Sequence, residues 1–172
     1  MQISFSRNRP YNRSQLKLIF FFVFWLAGFL FGMVLAVGLD GSFLSSMRPT
    51  FDSRVSIIRQ FAALLLPFLI AAFAAYANKP WLLYLLCFFK ACVFIYCGMA
   101  VYCAYGSAGW LVRIFVQFSD IVTLPVFCWF CLQILRKNEV TYNHLIICII
   151  FAAMIVCVEH FAVLPFTAQL ID

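Results

Sequence analysis

From Leu18 to Leu39 the chain runs 22 residues without a charge and almost without a polar side chain. At ~1.5 Å of rise per residue, one such block matches the hydrocarbon core of a bilayer. Further apolar blocks take up most of the remaining 172-residue sequence. Two-thirds of the residues are hydrophobic and 10% are charged, whereas a soluble domain carries roughly a quarter charged residues. A soluble core of this size has no use for so much apolar surface, so lipid must cover it. The chain reads as an integral membrane protein with no room for a separate soluble domain.

Lipid offers the backbone no hydrogen bonds, so spanning segments must be helices or closed barrels. Short alternating segments of the barrel type are missing. The fold class expected is an all-α polytopic bundle of about five transmembrane helices. The spans are placed at about 18–39, 57–77, 81–105, 110–135 and 144–166, together one transmembrane domain over 18–166. Trp81 and Trp110 each open a span, as interfacial aromatics do. Residues 1–17 form a basic cytoplasmic segment and 167–172 a short extracytoplasmic tail. The first block is too long for a signal-peptide core and no A-x-A pattern closes it, so it reads as a retained anchor.

Lys and Arg set the orientation. With the N-terminus inside, the inner segments hold Arg7, Arg9, Arg13, Lys17, Lys79, Arg136 and Lys137, against Arg48, Arg54 and Arg59 outside, 7 to 3. That predicts N-in and C-out. The net charge of +6 is therefore a membrane-orienting and lipid-contacting charge, and no nucleic-acid partner is implied. The one sizeable loop, about 40–56, then faces outward with Arg48, Asp52 and Arg54.

The informative residues are those lipid should not tolerate. Lys90 and Asp120 lie at comparable depths in the third and fourth spans, and the simplest inference is that they pair between antiparallel neighbours. Such a pair can be a packing device or part of an ion or proton path; contact with a partner or a snorkelling lysine are the remaining readings. Arg113, Gln117 and Asp120, at i, i+4 and i+7, make a polar stripe down one side of the fourth span. Pro125 removes a backbone donor and frees the Ile121 carbonyl, with Ser119 and Thr123 near enough to satisfy freed groups. The fourth helix is therefore expected to be broken or kinked at Pro125. Glu159 and His160 sit in the outer half of the fifth span, where Arg113 is a partner for Glu159. Adjacent helical residues diverge by about 100°, so this dipeptide does not converge on one substrate atom.

Gly28 and Gly32, with Ala36 one turn on, form a small-residue ridge for helix packing, within the chain or in a homo- or hetero-oligomer. The eight cysteines, Cys128-Trp-Phe-Cys131 included, all fall in spans and read as small buried hydrophobes. No phosphate-binding glycine loop, H-E-x-x-H or G-x-S-x-G motif occurs, and no nucleophile–base constellation is visible. No enzyme activity, cofactor or metal is expected.

A family resemblance joins these features. The first span, Phe21-Phe-Val-Phe-Trp-Leu-Ala-Gly-Phe-Leu-Phe-Gly32, resembles the opening helix of the stage II sporulation protein M family. Phe88-Phe89-Lys90 looks like that family's F-K-G helix start, with Ala91 in place of the glycine, and Gly98, Gly106 and Gly109 follow at similar spacings. The stretch from Gly109 to Pro125 resembles one ending in I-x-x-I-P; where the family has P-Q-N, this chain has Phe118-Ser119-Asp120. The resemblance covers roughly 18–135. It implies a divergent member, a five-span scaffold in the plasma membrane of an endospore-forming bacterium. Such a scaffold does no chemistry itself and positions peptidoglycan-remodelling partners during engulfment. The alternative is a small transporter or channel subunit that uses the Lys90, Asp120 and Arg113 cluster.

Overall fold

The computed structural model describes residues 13–38, 56–105, 114, 117–137, 142–163 and 165. Among the described residues the structure is all-helical. Helices α1 (Arg13–Val37), α2 (Ile57–Tyr76), α3 (Pro80–Tyr105), α4 (Phe118–Lys137) and α5 (Tyr142–Val158) follow in order, and a π-helical turn, Glu159–Val163, extends α5. All five are long and apolar enough to cross a membrane.

The expected 81–105 and 57–77 spans differ from the helices by one residue at one end each. The turn between them explains why. Asn78 adopts φ 53°, the left-handed conformation that Asn tolerates best among non-glycine residues. Ala77 N–H then donates to Phe73 O (2.8 Å) and Lys79 N–H to Ala74 O (3.0 Å), closing the end of α2. Pro80, which has no N–H to lose, starts α3. The hairpin brings Lys79 beside Lys17 of α1 in a small hollow at one end of the bundle, so the two basic positions share a level.

In α4 the described helix is Phe118–Lys137, continuous through Pro125, and residues 110–113 and 115–116 of the expected span lie outside the described residues. An intrahelical proline costs one hydrogen bond and crowds the preceding turn. Helices packed on either side hold the backbone helical here, since α4 touches α1, α2, α3 and α5. It is the least apolar of the five spans and the most buried, which is the arrangement lipid demands. Around it, Phe68 of α2 meets Phe127 and Phe130 edge-on, with ring centroids 5.5 and 5.7 Å apart. Ala71 and Ala74 of α2 and Cys131 and Cys148 are wholly buried. Three cysteines depart from the buried reading, because Cys97, Cys103 and Cys157 are exposed on the outside of the bundle.

The most extensive helix pair is α1 with α3. A Cβ placed on Gly28 would collide with the Phe88 carbonyl oxygen, and one on Gly32 would lie 2.5 Å from that of Cys92. Phe24 stacks on Tyr84 with centroids 5.8 Å apart. The three contacts, 24 with 84, 28 with 88 and 32 with 92, advance together, so α1 and α3 run parallel. The ridge is thus occupied within the chain, and Ala36 beyond it is buried. Gly28→Ala and Gly32→Ala must push two backbones apart and are each expected to cost about 1–3 kcal/mol. Gly38→Ala, whose Cβ would meet only Leu35 O at 3.6 Å, is expected to fall within about 0.5 kcal/mol. Equilibrium unfolding in mixed detergent micelles measures all three; equal losses at Gly28 and Gly38 would contradict the contact.

Candidate functional site: an intramembrane polar collar

Four polar residues cluster at the entry and first two turns of α4, Gln117, Ser119, Asp120 and Thr123. Gln117 accepts from Ile121 N–H (2.8 Å) and so stands at the helix entry. Its side chain and that of Asp120, three residues apart, share the side facing α3. Ser119 and Thr123, four apart, share a different side.

On the α3 side, Lys90 Nζ donates to Asp120 Oδ1 at 2.5 Å. Lys90 stands ten residues into α3, about 15 Å along the axis, so the pair lies near mid-span. A charge at that level costs on the order of 2.5–3.5 kcal/mol on insertion scales. Pairing offsets part of that cost, and the position of Asp120 in the first turn adds to it, since the α4 N-terminus favours an anion. Four residues along α3, Gln117 Nε2 donates to the Phe94 carbonyl at 3.0 Å. The two bonds step in opposite directions along the chains, which makes α3 and α4 antiparallel.

On the other side Ser119 Oγ hydrogen-bonds Glu159 Oε2 at the start of the π-helical turn. Thr123 Oγ1 donates back to Ser119 O at 2.7 Å. The collar therefore ties three elements together at one level: α3, α4 and the end of α5. Gln117, Ser119 and Thr123 are all buried.

Several sequence expectations are redistributed. Arg113 lies outside the described residues, as do Trp110 and the loop residues Arg48, Asp52 and Arg54. The stripe is described only at Gln117 and Asp120, and both point to α3. Glu159, expected opposite Arg113, bonds Ser119. Thr123 reaches the carbonyl of Ser119 rather than the Ile121 carbonyl freed by Pro125. Pro125 itself lines an apolar groove of about 400 Å³ between α1 and α4, walled by Phe21, Trp25, Phe29 and Leu124. Acyl chains have access to such a groove. Among the described residues His160 does not join the collar; its ring meets Phe161 edge-on at 5.3 Å, and its buried Nδ1 has no hydrogen-bond partner there. Among the described residues no three His, Cys, Asp or Glu side chains are grouped as metal ligands would be.

The Ser119–Glu159 bond is the functional contact that sequence reasoning missed. The signal was present in part: Glu159 near the end of one antiparallel span and Ser119 near the start of another occupy the same level.

No family model, curated protein or solved structure matches the chain.

The collar makes a stability prediction. Lys90→Met alone leaves Asp120 charged without its partner and is expected to destabilise by about 2 kcal/mol or more. The double change Lys90→Met with Asp120→Leu removes both charges and should cost less than either single change. Unfolding in mixed micelles decides it; a double variant weaker than both singles would make the pair a net stabiliser in its own right.

Proposed function

We propose that the chain is a non-catalytic integral membrane scaffold, similar to the stage II sporulation protein M family. It sits in a bacterial plasma membrane with the N-terminus inside and positions extracytoplasmic peptidoglycan-remodelling proteins during engulfment. The observation that carries this reading is the way the polar residues are used. Lys90 bonds Asp120, Ser119 bonds Glu159 and Gln117 bonds the Phe94 carbonyl, so the collar spends its hydrogen bonds on its own helices. Side chains committed to each other hold a shape, and shape is what a scaffold supplies. The proximity of Lys17 and Lys79 at one end of the bundle supports the inward assignment of that end. On this reading the loop over 40–56 is the outward contact surface. Pro125 of α4 lines the lipid-accessible groove.

The rival is a small transporter or channel subunit. What favours it is the row of polar groups at one level, the Lys90–Asp120 pair and the Ser119–Glu159 bond, with His160 next in the chain.

Two measurements separate the readings. In a host whose septal cell-wall hydrolase is tagged, wild-type protein is expected to co-purify with that enzyme, and deletion of 41–56 to abolish co-purification; capture that survives the deletion removes the loop from the account. In proteoliposomes the scaffold reading expects no proton or sodium flux above that of empty vesicles. A flux that disappears on Asp120→Asn would put the transporter reading first.

A further inference from the structure

The Lys90–Asp120 pair is only partly covered by the chain's own helices. The Asp120 side chain is 37% exposed and that of Lys90 19%. Among the described residues Lys90 Nζ bonds Asp120 Oδ1 alone, so an ammonium with three donors and a carboxylate with two oxygens retain bonding capacity on their outer side. That side does not open into the bundle. Val93 and Cys97, which share a face with Lys90 at three and seven residues on, are exposed, and so is Ile121 next to Asp120. Cys97 is within electrostatic reach of both charges. The result is a part-exposed ion pair near the middle of α3, at the outer edge of α3 and α4, where acyl chains supply no hydrogen bonds.

We propose that a second copy of this chain covers this edge, each copy's Lys90 facing Asp120 of the other across a two-fold axis along the membrane normal. The geometry of the pair selects a like partner. Lys90 and Asp120 belong to neighbouring helices and meet at one level, so the line from cation to anion lies in the membrane plane. A two-fold rotation about the normal reverses that line and sets cation against anion, which makes the edge self-complementary. Four charges then close a ring in which each ammonium touches two carboxylates. The exposed Val93 and Ile121 supply apolar contact around the ring. The small-residue ridge on α1 is not available for this purpose, since Gly28 and Gly32 are already against the α3 backbone. The inference stands apart from the scaffold reading, because a transporter with the same edge would pair in the same way.

Cys97 gives a native reporter. It stands two turns from Lys90 on the same face, so a two-fold contact at the ion pair brings the two Cys97 thiols toward each other. In a protein retaining Cys97 as its only cysteine, copper–phenanthroline oxidation in native membranes is expected to give a disulfide-linked dimer. A protein retaining only Cys157, which is exposed on α5, is expected to give at least tenfold less. Lys90→Met with Asp120→Leu should lower the Cys97 cross-link at least tenfold while keeping the helical circular dichroism of the parent. Single-molecule photobleaching of labelled wild type in dilute liposomes should show two steps. One-step bleaching of wild type overturns the proposal, as does a cross-link that persists in the neutral double variant. Rapid modification of wild-type Cys97 by a membrane-impermeant thiol reagent also overturns it, because water would then cover the edge. Should the double variant fail to fold, the wild-type bleaching and accessibility results decide the matter alone.

Discussion

The contact of Gly28 and Gly32 with the α3 backbone is what the rest of the bundle is built upon. In lipid an apolar side chain gains nothing by moving from acyl chains to another helix, so the usual driving force for packing is missing. Cohesion has to come from close van der Waals approach and from polar bonds. Two glycines one turn apart let α1 lie against the carbonyls of Phe88 and Cys92. The aromatic side chains on either side, Phe24 on Tyr84 and Phe31 near Phe88, fill the flanks of that approach. Because α1 and α3 are locked in parallel, α3 presents a defined face to α4, and Lys90 has a fixed place to meet Asp120.

The second source of cohesion is concentrated at the start of α4. A helix start leaves its first N–H groups and its positive dipole end in need of partners, and this one lies level with Lys90 of α3. Gln117, Ser119, Asp120 and Thr123 cluster at that end, and their bonds run to α3, to the end of α5 and to the α4 backbone. This explains why the least apolar span is also the central one. The same arrangement leaves α1 as an apolar rod facing lipid, with exposed Phe20, Phe22, Leu26, Leu30 and Val34. Lipid-facing apolar side chains on α1 and the buried Gln117, Ser119 and Thr123 of α4 answer one constraint.

The spans were legible because lipid imposes length and composition on them. Leu18–Leu39 needs no tertiary information to be read as a crossing, and Asn78-Lys79-Pro80 announces a tight turn through the conformational habits of Asn and Pro. The pairing of Lys90 with Asp120 followed from depth alone, since two opposite charges at one level in neighbouring spans have few other options. What could not be read was which partner a polar residue takes when several share a level. Ser119, Thr123, Glu159 and the Ile121 carbonyl all lie near the same depth, and helix rotation, which hydropathy does not record, decides among them. Pro125 lies inside a helix that stays hydrogen-bonded from Phe118 to Lys137, and hydropathy does not say that α4 touches four other helices. The cysteines divide in the same way: Cys87, Cys131 and Cys148 face inward while Cys97 and Cys157 face out, on helices apolar all round.

The polarity of the ion pair is itself informative. Asp120 occupies the first turn of α4, where the helix dipole favours a negative charge, and Lys90 lies in the middle of α3, where the dipole is silent. Exchanging the two residues would keep the attraction between them but set a cation against the positive end of α4. The acid has its place because a helix begins there, and the lysine has its place because the α1–α3 contact turns that side of α3 toward α4. The pair is therefore a readout of the two other features, the glycine contact and the start of α4. A change in either would reach the paired charges between α3 and α4, and through them the edge that those charges present.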